Sequence, residues 1–400
     1  MGRSGGTADT RSADAEMDGI ADYRCANAIG QRIEVQKEMQ IMDTGKDFAL
    51  RLSEWHRAHG RHDLPWQNTR DPYRIWLSEI MLQQTQVDTV IPYYARFLAR
   101  FPDLGSLAAA PVDDVLALWS GLGYYARARN LHKAAQAVMN EHGGEFPRQP
   151  EAIAELPGVG RSTAAAVADF AFGARAAILD GNVKRVLCRV FGIDGFPGER
   201  AVEQQLWALA EELLPQRDVG TYIQAQMDLG ATVCTRGRAA CERCPMADIC
   251  VARREDRVGE LPAARPRKAA PQRQVRVAVI HAEGRVLLER RPPAGIWGGL
   301  LALPEIPDGE ADAARWLGAR FGLAARDAIT LAPFNHSFTH FRLEITPIRL
   351  DVGDAGHAVA DADHRWLALG ERDEAGLPTP VRRILDALAD GNLEGDLFSR

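Results

Sequence analysis

The run Leu156-Pro157-Gly158-Val159-Gly160-Arg161-Ser162-Thr163-Ala164 cannot be threaded through one continuous helix. Pro157 lacks the N–H that a helix interior needs, and Gly158 and Gly160 invite backbone conformations that other residues avoid. An apolar helical pattern resumes at once, so the stretch is predicted to be two helices joined by a tight turn. Such a turn ends on a helix N-terminus whose first N–H groups have no partner within the helix, an arrangement that suits a phosphate. Taken alone it is equally an ordinary αα-hairpin. Twenty residues beyond Gly160 stands an acid, in Ile178-Leu179-Asp180-Gly181-Asn182. It opens a segment in which Val183, Val186, Leu187 and Val190 recur at i, i+3, i+4 and i+7, an amphipathic helix. Asp180 is there either a helix N-cap or a functional carboxylate.

A second acid is set in apolar company. Asp71-Pro72 is a helix start, and the helix that follows reads Tyr73 to Gln84 with Ile75, Trp76, Leu77, Ile80, Met81 and Leu82 on nearly every side. Glu79 and Gln83, at i and i+4, are its polar exception. A poorly solvated carboxylate has a raised pKa, which is what a general acid needs near neutrality. The plainer alternative is a Glu that reaches solvent or pairs with an Arg. Just before this helix, Asp63-Leu64-Pro65-Trp66-Gln67 reads as a loop with an exposed aromatic. Further on, Gly121–Lys133 gathers Tyr124, Tyr125, Arg127, Arg129 and Lys133. Cations neutralise phosphates and a Tyr can wedge between or stack on bases, although a run of charge is more often a solvated helix face. Lys184, Arg185 and Arg189 fall on the polar side of the Asn182–Phe191 helix and are available to DNA. Residues 201–230 are helical again and carry Tyr222, Gln224, Gln226 and Asp228.

Cys234, Cys241, Cys244 and Cys250 are spaced C-x6-C-x2-C-x5-C, while Cys25 and Cys188 stand alone. No run of eighteen apolar residues occurs and the N-terminus has no apolar leader core, so the expected setting is intracellular and cytoplasmic, away from membranes. In that setting a cysteine cluster points to metal rather than disulfides. Four thiolates in one loop can hold a [4Fe–4S] cluster; tetrahedral zinc is the alternative, though it usually shows two C-x2-C pairs and here only Cys241 and Cys244 form one. Net charge is −6, which argues against a non-specific nucleic-acid coat but allows a local basic groove. Residues 1–43 lack periodicity and are expected to be disordered, with Met42 a candidate true start. Residues 251–274, with Pro262, Pro266 and Pro271 among Arg and Lys, read as a linker. The pattern then turns to strands around Val275–Ile280 and Arg285–Glu289, with Glu283-Gly284 as a hairpin signal. A helix is expected near Asp312–Phe321, a strand through Phe341, Leu343 and Ile345 with Pro347 marking an edge or bulge, a strand at Arg365–Leu369 and a closing helix at Pro380–Ala389.

Together these motifs resemble the adenine DNA glycosylase family over residues 48–391. The resemblance rests on Leu77–Val87, Gly121–Lys133, Leu156–Ala164, Leu179–Val186 and the four cysteines in order. It implies a mainly α, helix-hairpin-helix glycosylase domain over residues 44–250 with an iron–sulfur loop at 234–250. A linker at 251–274 and an α+β, Nudix-like domain at 275–395 would follow, the latter reading 8-oxoguanine. It implies that Glu79 protonates the departing adenine and assists water, and that Asp180 stabilises the positive charge developing on the sugar. Gln84 and Tyr124 would probe the base stack beside the lesion. Gly158, Gly160 and Ser162 would lie at the DNA backbone. Gln224, with Trp66 and Gln67, would line the adenine pocket. Cys234, Cys241, Cys244 and Cys250 would bind a [4Fe–4S] cluster.

The sister endonuclease III family carries a lysine nucleophile in the hairpin where this chain has Ser162, so a monofunctional glycosylase with little strand cleavage is expected. In the Nudix-like part, Trp297-Gly298-Gly299-Leu300 and Leu303-Pro304 fit the early strands. The helix at 312–321 lacks the acids that hold Mg²⁺, which argues against pyrophosphate hydrolysis. Phe338-Thr339-His340 takes the place of the family's Phe-Ser-His loop for 8-oxoguanine. The implied partner is double-stranded DNA holding adenine opposite 8-oxoguanine or guanine, bound by a nucleoid-associated monomer. The rivals are a bifunctional pyrimidine-lesion glycosylase, a nucleotide-sanitising hydrolase and a non-catalytic lesion binder.

Overall fold

The structure is a computed structural model that describes residues 2, 47–266, 271–293, 295–338, 340–353 and 363–392. The expectations for residues 1–43, Met42 and Cys25, apart from Gly2, and for Thr339 lie outside the described residues. The chain runs through α1 (47–59), α2 (Pro72–Leu82), α3 (Val87–Arg100), α4 (Leu104–Ala109), α5 (Val112–Trp119), α6 (Ala126–Glu141), α7 (Pro150–Ala154) and α8 (Arg161–Phe172). It continues with α9 (Gly181–Phe191), α10 (Arg200–Glu212), α11 (Val219–Asp228) and the short α12 (Val251–Arg254). Strands follow: β1 (Gln272–Ala282), β2 (Arg285–Arg290), β3 (Leu301–Ala302), β4 (Glu305–Ile306), then α13 (Ala313–Phe321), β5 (Ala325–Thr330), β6 (Phe334–Ser337), β7 (Arg342–Val352), β8 (His364–Ala368) and α14 (Thr379–Ala389). Among the described residues no helix is long and apolar enough to cross a membrane.

Two compact units emerge. One holds residues 47–61 and 175–264; the other holds 62–174 and the described residues from 265 on. In the second unit α2 is central. Asp71 caps it by accepting the Tyr73 N–H at 2.9 Å, with Pro72 in the first turn. Because α3, α6 and α8 all pack on it, Trp76, Leu77 and Met81 are wholly buried, and Glu79 is only half-buried. Trp66 is not exposed as the sequence suggested. The Leu64 N–H donates to Gln67 Oε1 at 3.1 Å, closing a turn that carries the indole inward against Tyr94, 5.4 Å between ring centroids. Between α7 and α8, Gly158 sits at φ +78, and a Cβ there would lie 2.6 Å from Asn130 Cβ, so only glycine fits.

The same unit contains an eight-stranded sheet of order β3-β2-β1-β7-β5, with β4 also on β1, β6 on β7 and β8 on β2. The β1–β2 hairpin turns at Glu283 and Gly284, both at positive φ, as the sequence predicts. Alternation along β1 sends Val277 and Val279 to a core shared with α14, and Ala278 and Ile280 to a core shared with α13, so helices cover both faces. Pro347 is not on an edge strand, but the register facing it shifts by one residue across its position, the bulge that the sequence allowed. It lies on β7, between β1 on one side and β5 and β6 on the other. On that other side pairing passes from β6, ending at Phe334↔Ile345, to β5, starting at Thr330↔Ile348. Pro347 stands in the gap, where a missing N–H breaks no rung.

In the first unit, Phe48 of α1 packs on Phe191 of α9 and on Tyr222 of α11, at 5.4 and 6.3 Å between centroids. Asp228 is fully buried and ties α11 to the end of α1. It accepts the Arg61 backbone N–H at 2.8 Å, Arg61 Nη2 at 2.5 Å and Gln224 Nε2 at 3.0 Å, with His56 Nε2 3.3 Å away. Burial alone would raise its pKa, but His56 and Arg61 outweigh burial and hold it below the ordinary carboxylate range.

Candidate active site

Glu79 projects from α2 one turn before Gln83, whose Nε2 donates to Thr163 Oγ1 of α8 at 3.4 Å. This contact brings the polar row of α2 to the first turn of α8, where Arg161 is exposed and Ser162 half-buried. Gly160 is the N-cap of α8 and supplies no side-chain acceptor, so that turn retains N–H groups for an anion. No amine stands there.

The helix of Glu79 ends at Leu82, two residues earlier than the sequence pattern suggests, and the reason is Arg127. Its Nη1 donates to the Ile80, Met81 and Gln83 carbonyls at 3.0, 2.9 and 2.6 Å, capping the helix. Its Nη2 donates to Thr85 Oγ1 and to the Leu122 and Gly123 carbonyls at 3.1–3.2 Å. Burial lowers its pKa to about 10. Arg127 was expected on a phosphate-facing surface; it is instead an inward clamp joining the end of α2 to the 121–125 loop. The two residues expected to probe the lesion flank this clamp. Gln84 has φ +60 and Tyr124 φ +50, a left-handed backbone that non-glycine residues adopt at a cost and that clusters at functional sites. Both are exposed, Tyr124 by 51%. Of the other two cations of the run, Arg129 donates to the Gly298 carbonyl and Lys133 is exposed.

Asp180 is the N-cap of α9, accepting the Val183 N–H on Oδ1 at 2.7 Å and Asn182 Nδ2 on Oδ2 at 3.3 Å. Part of the residue reaches solvent, yet protein surrounds the carboxylate closely. Burial raises its pKa above the ordinary value, against the Val183 and Asn182 backbone N–H groups and the Arg185 charge. The α9 cations are not offered to DNA as the helical pattern implied. Lys184 pairs with Glu203 at 2.5 Å; Arg185 donates to Cys234 O and Gly230 O, each at 2.7 Å; and buried Arg189 donates to Leu261 O and Thr235 O at 2.8 Å. On the face that looks polar in the sequence, Arg185 and Arg189 hold the backbone at the start of the cysteine loop, while Lys184 is held by α10.

Cys234, Cys241, Cys244 and Cys250 all line one cavity, walled also by Val190 and Val233. Burial pushes the Cys244 thiol up to about 12, and proximity to Cys234, Cys250 and Cys241 adds to this. Among the described residues no three His, Cys, Asp or Glu converge tightly enough to hold a single metal ion. Gln224 lies on α11 in the same unit, its amide engaged by Asp228.

In the sheet, Phe338 and His340 belong to the turn between β6 and β7, closed by the Phe338 N–H donating to Phe341 O at 2.9 Å. Phe338 stacks on Phe341 at 4.5 Å and meets His336 edge-on at 4.8 Å, while His340 is exposed. Helix α13, on the other face of the sheet, carries no carboxylate along its length. Sequence reasoning passed over Arg127 as clamp and the Arg61–Asp228 pair. Nothing in a run of basic residues marks which one folds inward.

Residues 77–212 match the HhH-GPD superfamily of base excision DNA repair proteins, and residues 276–387 match the NUDIX domain. An adenine DNA glycosylase of Buchnera aphidicola (subsp. Acyrthosiphon pisum) is 36% identical, over 85% of this chain and 97% of that protein. An adenine DNA glycosylase of Mus musculus is 33% identical, over 94% of this chain and 84% of that protein. A solved thermostable thymine-DNA glycosylase aligns with 53% of this chain and 98% of its own at 33% identity and TM-score 0.49. With near-complete coverage of a relative well above chance identity, the chain belongs to the adenine DNA glycosylase family, within the HhH-GPD superfamily of base excision DNA repair proteins.

Proposed function

We propose that this chain is a monofunctional glycosylase that hydrolyses the N-glycosidic bond of adenine mispaired with 8-oxoguanine, and more weakly with guanine. The observation that carries the reading is the pairing of acid and probe on one clamped element. Glu79 stands half-buried on α2, and Gln84, exposed at positive φ, follows the same helix end, held there by Arg127 together with the Tyr124 loop. Tyr124 and Gln84 fill or probe the stack from which adenine is flipped. Glu79 protonates the departing base and then assists the attacking water. Loss of the base leaves an oxocarbenium-like sugar, and the Asp180 carboxylate stabilises its charge. Gly158 and Gly160 let the hairpin backbone approach a phosphate at the first turn of α8. Ser162, with no amine, forms no Schiff base, so the product is an abasic site and the strand stays whole. Gln224 contributes to the base pocket from α11. Residues 275–395 read the opposite base through Phe338, Thr339 and His340. Across duplexes with adenine opposite 8-oxoguanine, guanine or thymine, the single-turnover rate is expected to fall in that order. Equal rates on all three would refute the substrate assignment.

The cysteine loop is proposed to bind a [4Fe–4S] cluster through Cys234, Cys241, Cys244 and Cys250. Support comes from four thiols that share one cavity at the C-x6-C-x2-C-x5-C spacing. When bound, the cluster supplies cross-linking of the loop; Arg185, through Cys234 O, Asn182 and Gly230, ties that loop to the start of α9. Purified protein is expected to contain about four iron atoms and as many acid-labile sulfides per chain, with loss of both in Cys244→Ser. One zinc per chain and no sulfide would replace this reading with a zinc loop.

A further inference from the structure

The sheet and residues 62–174 share one unit, and the seam between them is specifically built. Arg290 of β2 grips Asp113 with both Nη atoms at 2.7 Å. Tyr125 Oη, at the start of α6, donates to Leu377 O at 2.9 Å. Arg129, one turn on, donates from Nη1 to Gly298 O at 2.5 Å. Leu300 is 1% exposed and belongs to the helical core, whereas Trp297 packs against that core and the sheet core alike. The turn holding them is tightly constrained. Trp297 has φ +55, Gly299 has φ +76, and a Cβ on Gly298 would run into the Pro293 carbonyl oxygen. Beyond this turn the Trp297 ring lies 5.8 Å from Phe338 and 6.1 Å from His336. A continuous packed path therefore runs from Tyr124 along the first turns of α6, through Arg129 and the 297–300 turn, to the Phe338–Phe341 turn.

We propose that Arg129 and Trp297 are positioning residues that set discrimination of the opposite base, by fixing the spacing between the Tyr124 loop and the Phe338–Phe341 turn. This rests on the substrate reading above. Two loops that read one lesion must keep their separation to within about half an ångström to act together. Loosening the joint leaves each loop intact. It therefore weakens the substrate that both loops recognise, adenine opposite 8-oxoguanine, and spares adenine opposite guanine, which lacks the 8-oxo group. A merely structural role would slow both alike.

The test measures single-turnover rates on both duplexes for wild type, Arg129→Gln, Arg129→Lys and Trp297→Leu. The ratio of the 8-oxoguanine rate to the guanine rate is expected to fall about tenfold in Arg129→Gln and Trp297→Leu, with the guanine rate nearly unchanged, and to be partly restored in Arg129→Lys. The guanine duplex reports that each variant is folded, and Arg129→Gln and Trp297→Leu probe the joint independently, so either decides if the other fails to fold. An unchanged ratio, or equal slowing on both duplexes, overturns the proposal. A wild type with no preference between the duplexes would instead overturn the substrate reading on which it stands.

Discussion

Replacing Glu79 by Gln is expected to lower the single-turnover rate of adenine release by about 10²–10⁴-fold, the usual worth of a positioned proton donor. Gln has the same shape and can still donate a hydrogen bond, but it cannot deliver a proton to the leaving base. Glu79 is half-buried and outside the packed core of α2, which Trp76, Leu77 and Met81 provide, so the fold should be unaffected. Binding to an uncleaved mispaired duplex should be preserved, because phosphate and base contacts do not depend on that proton. A variant within threefold of wild type would remove Glu79 from the reaction; a variant equally slow but also unable to bind would make it a binding residue.

The second large effect separates activity from stability. Asp180→Asn is expected to lose about 10²–10³-fold in rate, since a neutral amide cannot stabilise a sugar cation as a carboxylate does. Its melting temperature at neutral pH should equal or exceed that of wild type. Asn caps a helix as well as Asp, so the bond to the Val183 N–H persists, whereas Asp180→Ala would lose about 1 kcal/mol of capping. The sign follows from the raised pKa. Folded Asp180 holds its proton more tightly than the unfolded chain does, so stability falls as pH rises from the ordinary carboxylate value through the raised one, and stays lower above it. Asn removes that penalty, and its advantage should vanish on acidification below the ordinary value. For the same reason the wild-type rate should decline on the acid side at a higher pH than an ordinary Asp would give. An Asn variant that melts lower, or that keeps its activity, contradicts this account of Asp180.

Local signals in the sequence translated well into local structure. Asp71-Pro72 starts α2, Gly158 and Gly160 turn α7 into α8, Asp180 caps α9, and Glu283-Gly284 turns β1 into β2. Each depends on neighbours within a few residues, where propensity and capping dominate. What depended on distant partners was not legible. Trp66 is buried because Gln67 closes its turn toward Tyr94. Arg127 faces inward because the carbonyls ending α2 need donors, and Arg185 and Arg189 of α9 bind the backbone at the start of the cysteine loop. Pro347 sits in a central strand because two shorter strands share its far side. The candidate site was legible as residue types at motif spacing, whereas the left-handed backbone of Gln84 and Tyr124 became visible only in three dimensions.

The most direct test of the central claim follows free adenine and strand breaks together. Wild-type protein would be incubated with a duplex bearing adenine opposite 8-oxoguanine, and the products divided between samples with and without hot alkali. Stoichiometric adenine release is expected, with strand breaks only after alkali, because Ser162 leaves the hairpin without an amine nucleophile. Breaks without alkali would show a lyase nucleophile elsewhere in the chain, and no adenine release would contradict the assignment of adenine as the excised base.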